Sequence, residues 1–277
     1  MRIFLTGGTG FIGSNFINLA LEEGHSVRAL RRKKTSKPRI KLSKEPMWIT
    51  KSYLDIEKVD LQDIDVLVHL AAHSANVPYD TLENCIKYNV IEPLKMLRLA
   101  ESVGVKKYII AGSCFEYGIS GEKFDYIPSD AALEPTQTYP ASKALSSIAF
   151  GQFAREFALE MSYHRIFQVF GEGEDESRFW PSLRKAARVG EDFSMTKGEQ
   201  LRDFINVTEV AIKLLEACAH SRTPGQPVFE NLGTGKAQSL ADFAQFWWTK
   251  WNAKGCLKIG QVPYRKGEVM SYLPQLL

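Results

Sequence analysis

A chain of 277 residues is long enough for one large core, or for a nucleotide-binding core with a smaller cap, and its net charge of +3 is too small to indicate nucleic-acid binding. Cys85, Cys114, Cys218 and Cys256 lack zinc spacing, no apolar run is long enough to cross a bilayer, and no leader precedes the first expected strand. No metal, no membrane association and a reducing cytoplasm are therefore expected.

The first segment, Arg2-Ile3-Phe4-Leu5, suits a buried parallel strand. Thr6-Gly7-Gly8-Thr9-Gly10-Phe11-Ile12-Gly13 follows, and Phe11, Ile12, Phe16, Leu19 and Ala20 then recur at helical spacing up to Gly24. Strand, glycine turn and helix in this order read as a dinucleotide cradle. The turn lets a pyrophosphate approach bare backbone, and the helix start supplies free N–H groups and a positive dipole end. Gly7, Gly10, Phe11, Ile12 and Gly13 are its expected members.

Further strands are expected at 27–30, 47–50 and 65–70, the last followed by Ala71-Ala72. The stretch from Arg31 to Arg39 is dense in positive charge and, beyond its first two residues, reads as a solvated loop. A helix over 82–103, with Leu94, Leu97 and Ala100 on one face, leads to a buried strand at 107–111. A second helix over 139–159 enters a strand at 162–168. This alternation predicts an α/β fold with a doubly wound parallel sheet of Rossmann type and ligands outside the carboxyl ends of its strands. From about Gly171 the elements shorten and the loops become rich in Gly, Pro and charge. Residues 1–170 are therefore expected to form the dinucleotide-binding domain, with sheet elements returning near 203–231. Residues 171–277 are expected to be mainly a small, interleaved substrate-binding cap. Leu240, Phe243, Trp247 and Trp251 repeat at helical spacing and read as core.

Tyr139 and Lys143 are four apart, which on a helix sets both on one face. An ammonium beside a phenol stabilises phenolate and lowers the tyrosine pKa, making a workable proton donor near neutral pH. Ten tyrosines make about one such pair expected by chance. Position gives this one its weight: it opens the helix after the strand ending at Ala111-Gly112-Ser113, so the sheet delivers Ser113 and Tyr139 to the same edge.

With these motifs the chain resembles the extended short-chain dehydrogenase/reductase family, in its nucleotide-sugar epimerase, dehydratase and reductase branch. The likeness includes the Thr6–Gly13 turn, His69-Leu70-Ala71-Ala72, Ser113 five before Gly118, and the Tyr139/Lys143 pair. It continues through Arg165-Ile166-Phe167-Gln168-Val169-Phe170-Gly171 and through Gly198 to Ile205. The resemblance implies that Ser113 hydrogen-bonds a sugar carbonyl or hydroxyl, Tyr139 moves the proton, and Lys143 also holds the nicotinamide ribose. It implies further cofactor contacts at Leu70, Ala71 and Ala72, with Asp55 and Ile56 at the adenine. Substrate contacts are implied at Ser113, Cys114, Phe115, Gln168, Arg178, Arg202 and Arg265, the arginines gripping a nucleotide diphosphate. The alternative for Arg202 and Arg265 is a surface salt bridge. Gln168 stands where many relatives have Asn.

Three departures narrow the expectation. Arg31 and Arg32 replace the acidic residue that bonds the ribose 2′-hydroxyl in NAD-specific relatives, and guanidinium groups pair well with a 2′-phosphate, so NADPH is the expected cofactor. Related 4,6-dehydratases carry Asp-Glu after the hydroxyl residue, whereas this chain has Cys114 and Phe115, which argues against dehydration. The chain also ends soon after Arg265, as short 4-ketoreductases of deoxysugar pathways do. The resulting expectation is an NADPH-dependent reductase of a nucleotide-linked 4-keto-6-deoxyhexose. A nucleotide-sugar 4-epimerase is the runner-up, and a non-catalytic dinucleotide sensor the third reading. A homodimer is expected through the helix carrying Leu145, Ile148, Ala149, Phe153 and Phe157, which is more apolar than one sheet face needs.

Overall fold

Segments that are apolar on both sides form the centre of the molecule. A computed structural model describes every residue except Lys266 and Leu277. In chain order it has β1 (Arg2–Thr6), α1 (Phe11–Glu22), β2 (Ser26–Arg31), β3 (Met47–Thr50), α2 (Lys58–Leu61) and β4 (Val66–His69). Then come α3 (Leu82–Ile86), α4 (Glu92–Ser102), β5 (Lys107–Ser113), α5 (Thr138–Glu156) and β6 (Glu160–Ile166). The later elements are β7 (Gln168–Phe170), α6 (Phe179–Val189), β8 (Phe193–Met195), β9 (Leu201–Arg202), β10 (Phe204–Asn206) and α7 (Val207–Ala219). Last are β11 (Val228–Leu232), β12 (Gln238–Ser239), α8 (Leu240–Lys250), β13 (Leu257–Ile259) and β14 (Ser271–Tyr272).

Seven strands make one parallel sheet in the order β11-β6-β5-β4-β1-β2-β3. The order reverses between β4 and β1, so the carboxyl edge there is the crevice where such sheets bind ligands. Strand alternation assigns the two faces. Ile3 and Leu5 of β1 pack with Phe16 and Ile17 of α1 and with Val210 and Leu214 of α7. Phe4 points the other way, to Met96 and Leu97 of α4 and Phe150 and Phe153 of α5. Each such buried side chain contributes about 1.5–3 kcal/mol.

The helix expected over 82–103 forms as α3 and α4 joined by a π turn at Lys87–Ile91. Pro93 lacks an N–H for the α ladder, and the wider turn just before it absorbs that mismatch. The strand expected at 162–168 ends at Ile166, and Gln168 instead begins β7, which pairs with β10 outside the main sheet. Of the elements expected to return near 203–231, β11 joins the main sheet beside β6 while β10 does not. In α5, Phe153 is core and Ala149 and Phe157 pack against it, so only Leu145 and Ile148 of the apolar set stand exposed. Of the aromatic stripe, Phe243 is buried, while Leu240, Trp247 and Trp251 are partly buried and pack against a cluster of Leu183, Ala187, Met195 and Trp248. Among the described residues, no helix is long and apolar enough to cross a membrane.

Candidate active site

The glycine turn lies at the β1 end of the crevice. The Gly10 N–H donates to the Gly7 carbonyl at 2.8 Å, and a Cβ on Gly13 would overlap that same oxygen, so only glycine lets α1 start this close to the strand. Gly10 gives α1 no side-chain cap, which leaves the leading N–H groups, those of Phe11 and Ile12, to serve an anion. From β4, the Leu70 N–H donates to the Thr6 carbonyl at 3.2 Å, and the Ala71 N–H reaches Thr6 Oγ1 at 3.4 Å. Leu70, Ala71 and the exposed Ala72 thus flank the turn. A bare-backbone cradle with an uncapped helix start fits the pyrophosphate of a dinucleotide.

Arg31 ends β2 at the rim of this cradle. Its Nε–H donates to Thr50 Oγ1 at 3.0 Å, and its guanidinium lies 5.1 Å from the centre of the Trp48 ring. Arg32 is exposed beside it. Asp55 is exposed and accepts from the Ser52 hydroxyl at 2.6 Å, while Ile56 next to it is buried.

Ser113 closes β5, and Tyr139 and Lys143 occupy the first turns of α5; all three are buried. Lys143 Nζ donates to the Ala111 carbonyl at 2.8 Å. Asn89 steadies the helix start, because its Oδ1 accepts from the His73 N–H at 2.7 Å and its amide donates to Ser142 Oγ at 2.9 Å. One expectation needs correction here. The Tyr139 phenol is not lowered: burial pushes it well above its ordinary value, with a hydrogen bond to Ser113 pulling only partly back. Burial also lowers the Lys143 amine to about 8, opposed by Glu116. Loss of water is the largest influence on both groups.

Of the residues implied for substrate, Cys114, Arg178 and Arg202 come together. Burial pushes the Cys114 thiol up to about 12, with the charges of Arg202 and Arg178 acting against it. Arg202 does pair with Glu268, at 3.6 Å, but in a largely buried setting. Its side chain is 15% exposed, and its guanidinium donates to the carbonyls of Leu201 and Val269 at 2.8 and 2.7 Å. Arg178 caps α6 with its Nε 3.7 Å from Glu174. Phe115 packs partly buried against the cluster holding Cys114 and Tyr272, and Gln168 is half-buried in β7. Arg265 is exposed, and its backbone carbonyl accepts from the Glu268 N–H.

Three neighbours of the site escape the sequence reading. Tyr79 sets its ring 5.5 Å from that of Tyr139. Glu174 has a side chain 8% exposed, with one buried carboxylate oxygen lacking a hydrogen-bond partner, and burial pushes its pKa up to about 7. Glu116 is fully buried beneath Ser113. The available signal for Glu116 was an acidic residue inside an otherwise apolar turn, Cys114-Phe115-Glu116-Tyr117.

Known proteins are similar to this chain along most of its length. CDP-abequose synthase of Salmonella muenchen is 26% identical over 275 residues, spanning 97% of this chain and 87% of that protein. dTDP-6-deoxy-L-talose 4-dehydrogenase (NAD(+)) of Aggregatibacter actinomycetemcomitans is 26% identical over 280 residues and spans 98% of both chains. The crystal structure of UDP-glucose 4-epimerase with UDP-glucose from Thermotoga maritima superimposes with a TM-score of 0.84 at 24% identity, covering 100% of this chain and 90% of that one. The family model described as NAD dependent epimerase/dehydratase matches residues 3–233. The chain belongs to that family, whose members include enzymes acting on nucleotide sugars.

Proposed function

We propose that this protein reduces the C4 ketone of a nucleotide-linked 4-keto-6-deoxyhexose, using NADPH. The observation that carries the reading is Arg31, anchored by Thr50 and Trp48 at the end of β2, where a carboxylate would select NAD. Anchoring lowers the entropy lost on gripping a 2′-phosphate, and Arg32 adds a second positive charge. Preference for NADPH ties the enzyme to a reducing pool and hence to net reduction.

Bound NADPH supplies the hydride. Ser113 orients the ketone by donating to its oxygen, and Tyr139 gives its proton to the alkoxide formed there. Burial keeps the phenol protonated until the alkoxide forms, and the alkoxide, a stronger base than phenolate, then takes the proton. Lys143 stabilises the charge left on Tyr139 and holds the nicotinamide ribose. Arg178 and Arg202 hold the substrate diphosphate, and Cys114 and Phe115, which lack carboxyl groups, offer no route to dehydration. The relatives named for an abequose and a 6-deoxy-talose support a nucleotide-linked deoxysugar.

A 4-epimerase is the second reading, since the same three residues can oxidise and then reduce C4 in a family described as NAD dependent. The deciding experiment follows NADPH oxidation against CDP-, dTDP- and GDP-linked 4-keto-6-deoxysugars, with NMR of the product. Stoichiometric oxidation with a new C4 hydroxyl supports the reductase. Interconversion of C4 hydroxy epimers without net oxidation replaces it with the epimerase, and no turnover of any sugar would leave a dinucleotide-binding protein.

A further inference from the structure

The turn after β5 places a carboxylate under the candidate catalytic residues. Glu116 Oε1 accepts from the Ser113 N–H at 2.8 Å and from the Tyr163 hydroxyl at 2.9 Å, and Oε2 accepts from Arg165 Nε at 2.8 Å. Ser146 Oγ lies 3.0 Å from the same phenol oxygen and donates to the Lys143 carbonyl at 2.7 Å. Glu116 thus binds Ser113 directly on one side and on the other holds the Tyr163 hydroxyl, which packs beside Ser146 as the Ser146 hydroxyl donates to the Lys143 carbonyl. Gly112 is a condition of this approach. A Cβ there would overlap the Tyr163 ring and lie 2.8 Å from Glu116 Oε1.

A buried ion pair is weak evidence for stability, because apolar residues of similar volume often serve as well or better. The Glu116–Arg165 pair, 0% and 5% exposed at its side chains, is placed where a charge can act on the reacting groups. We propose that Glu116 is a positioning residue, which fixes Ser113 at the end of β5 and supplies the negative charge that holds Lys143 as an ammonium. The proposal rests on the reading of Ser113, Tyr139 and Lys143 as the reacting set.

The groups facing Lys143 support that division of labour. His69 comes from β4, Tyr139 from α5 itself, and Tyr163 from β6 with its ring centre 5.9 Å from Nζ. Burial lowers His69 to about 3 and raises both phenols, so all three are uncharged across the physiological range. Glu116 remains as the charge that opposes the desolvation of Lys143. Burial also pushes its own carboxyl upward, against Arg165 and Lys143. Three donors on its two oxygens favour the ionised form against that desolvation.

The test follows the ¹³Cε resonance of Lys143 in lysine-labelled protein as pH is raised, with the signal assigned by its loss in Lys143→Met. Glu116→Gln removes the charge, and Glu116→Gln with Arg165→Met removes the pair without leaving a cation unpaired. Both should lower the Lys143 midpoint by about 1 pH unit. Glu116→Asp keeps the charge on a shorter stem. It should hold the midpoint near that of the parent while turnover of the 4-keto-6-deoxysugar panel falls about tenfold or more. A parental midpoint in the folded double variant overturns the proposal. So does failure of both neutral variants to fold while Glu116→Asp keeps full turnover, since the pair would then be structural alone. Near-parental turnover in Tyr139→Phe would instead sink the assignment of the reacting set and leave the NMR result standing.

Discussion

Lys143 Nζ and the Ala111 carbonyl meet at 2.8 Å, fastening the first turns of α5 to β5 two residues before Ser113. Ser113 and Tyr139, which come from separate elements, are thereby held in one frame before any ligand arrives.

That frame makes Tyr139→Phe a clean test of proton transfer. Its ring should keep its packing against Tyr79 while the acidic hydrogen is lost. Turnover should fall by about a hundredfold to ten-thousandfold, with NADPH affinity within about threefold of the parent. Steady-state kinetics and fluorescence titration measure the two quantities.

Arg31→Asp with Arg32→Ala should invert cofactor choice. Each lost charge-assisted contact to a 2′-phosphate is worth about 1.5–3 kcal/mol, roughly a tenfold to hundredfold in affinity, and the new carboxylate adds repulsion. kcat/KM for NADPH should fall strongly while that for NADH holds or rises. An unchanged ratio would remove the basis for NADPH and favour the epimerase.

Glu174 should make the nucleotide-stripped protein less stable as pH rises. Burial lifts its carboxyl to about 7, so the folded state holds that proton more tightly than the unfolded chain does. Stability should decline from about pH 4.5 through about 7 and stay lowered above that. Glu174→Gln removes the penalty. It should raise stability by on the order of 2–3 kcal/mol at pH 8 and change it little at pH 4. Urea unfolding midpoints at the two pH values would show this, and equal effects at both would refute it.

Ile91, Leu145 and Ile148 are 47%, 42% and 62% exposed, on the turn before α4 and on α5. We expect these helices to pair two copies of the chain. Light scattering at micromolar concentration should return twice the 31.2 kDa chain mass, and Ile148→Glu should halve it. A monomeric parent would end the idea.

Much of the site can be read from local pattern. The glycine turn announces itself because strand, turn and helix are contiguous, and Tyr139 and Lys143 are found through helical spacing and strand order. Glu116 is different: its partner Arg165 lies 49 positions away, and only the pairing of β5 with β6 brings them together. Arg202 is expected to touch substrate, but its anchoring on the carbonyls of Leu201 and Val269 and its pair with Glu268 come only from the folded chain. The Tyr139 phenol goes the opposite way from the local argument because burial, its largest influence, belongs to the assembled sheet.

The strand order also bears on how the chain is made. β1 is made before the other strands of the sheet and lies inside it, but its partner β4 can dock only after residues 66–69 emerge. β6 faces a longer wait. Its residues from Met161 to Ile166 are buried in the finished protein, yet one side of its ladder stays open until Val228–Leu232 has been synthesised. Throughout that interval a nascent chain exposes an apolar strand edge, the feature that recruits stray strands from other molecules. Arrested or truncated products ending before β11 should therefore be aggregation-prone, even though the dinucleotide cradle has already been translated in full.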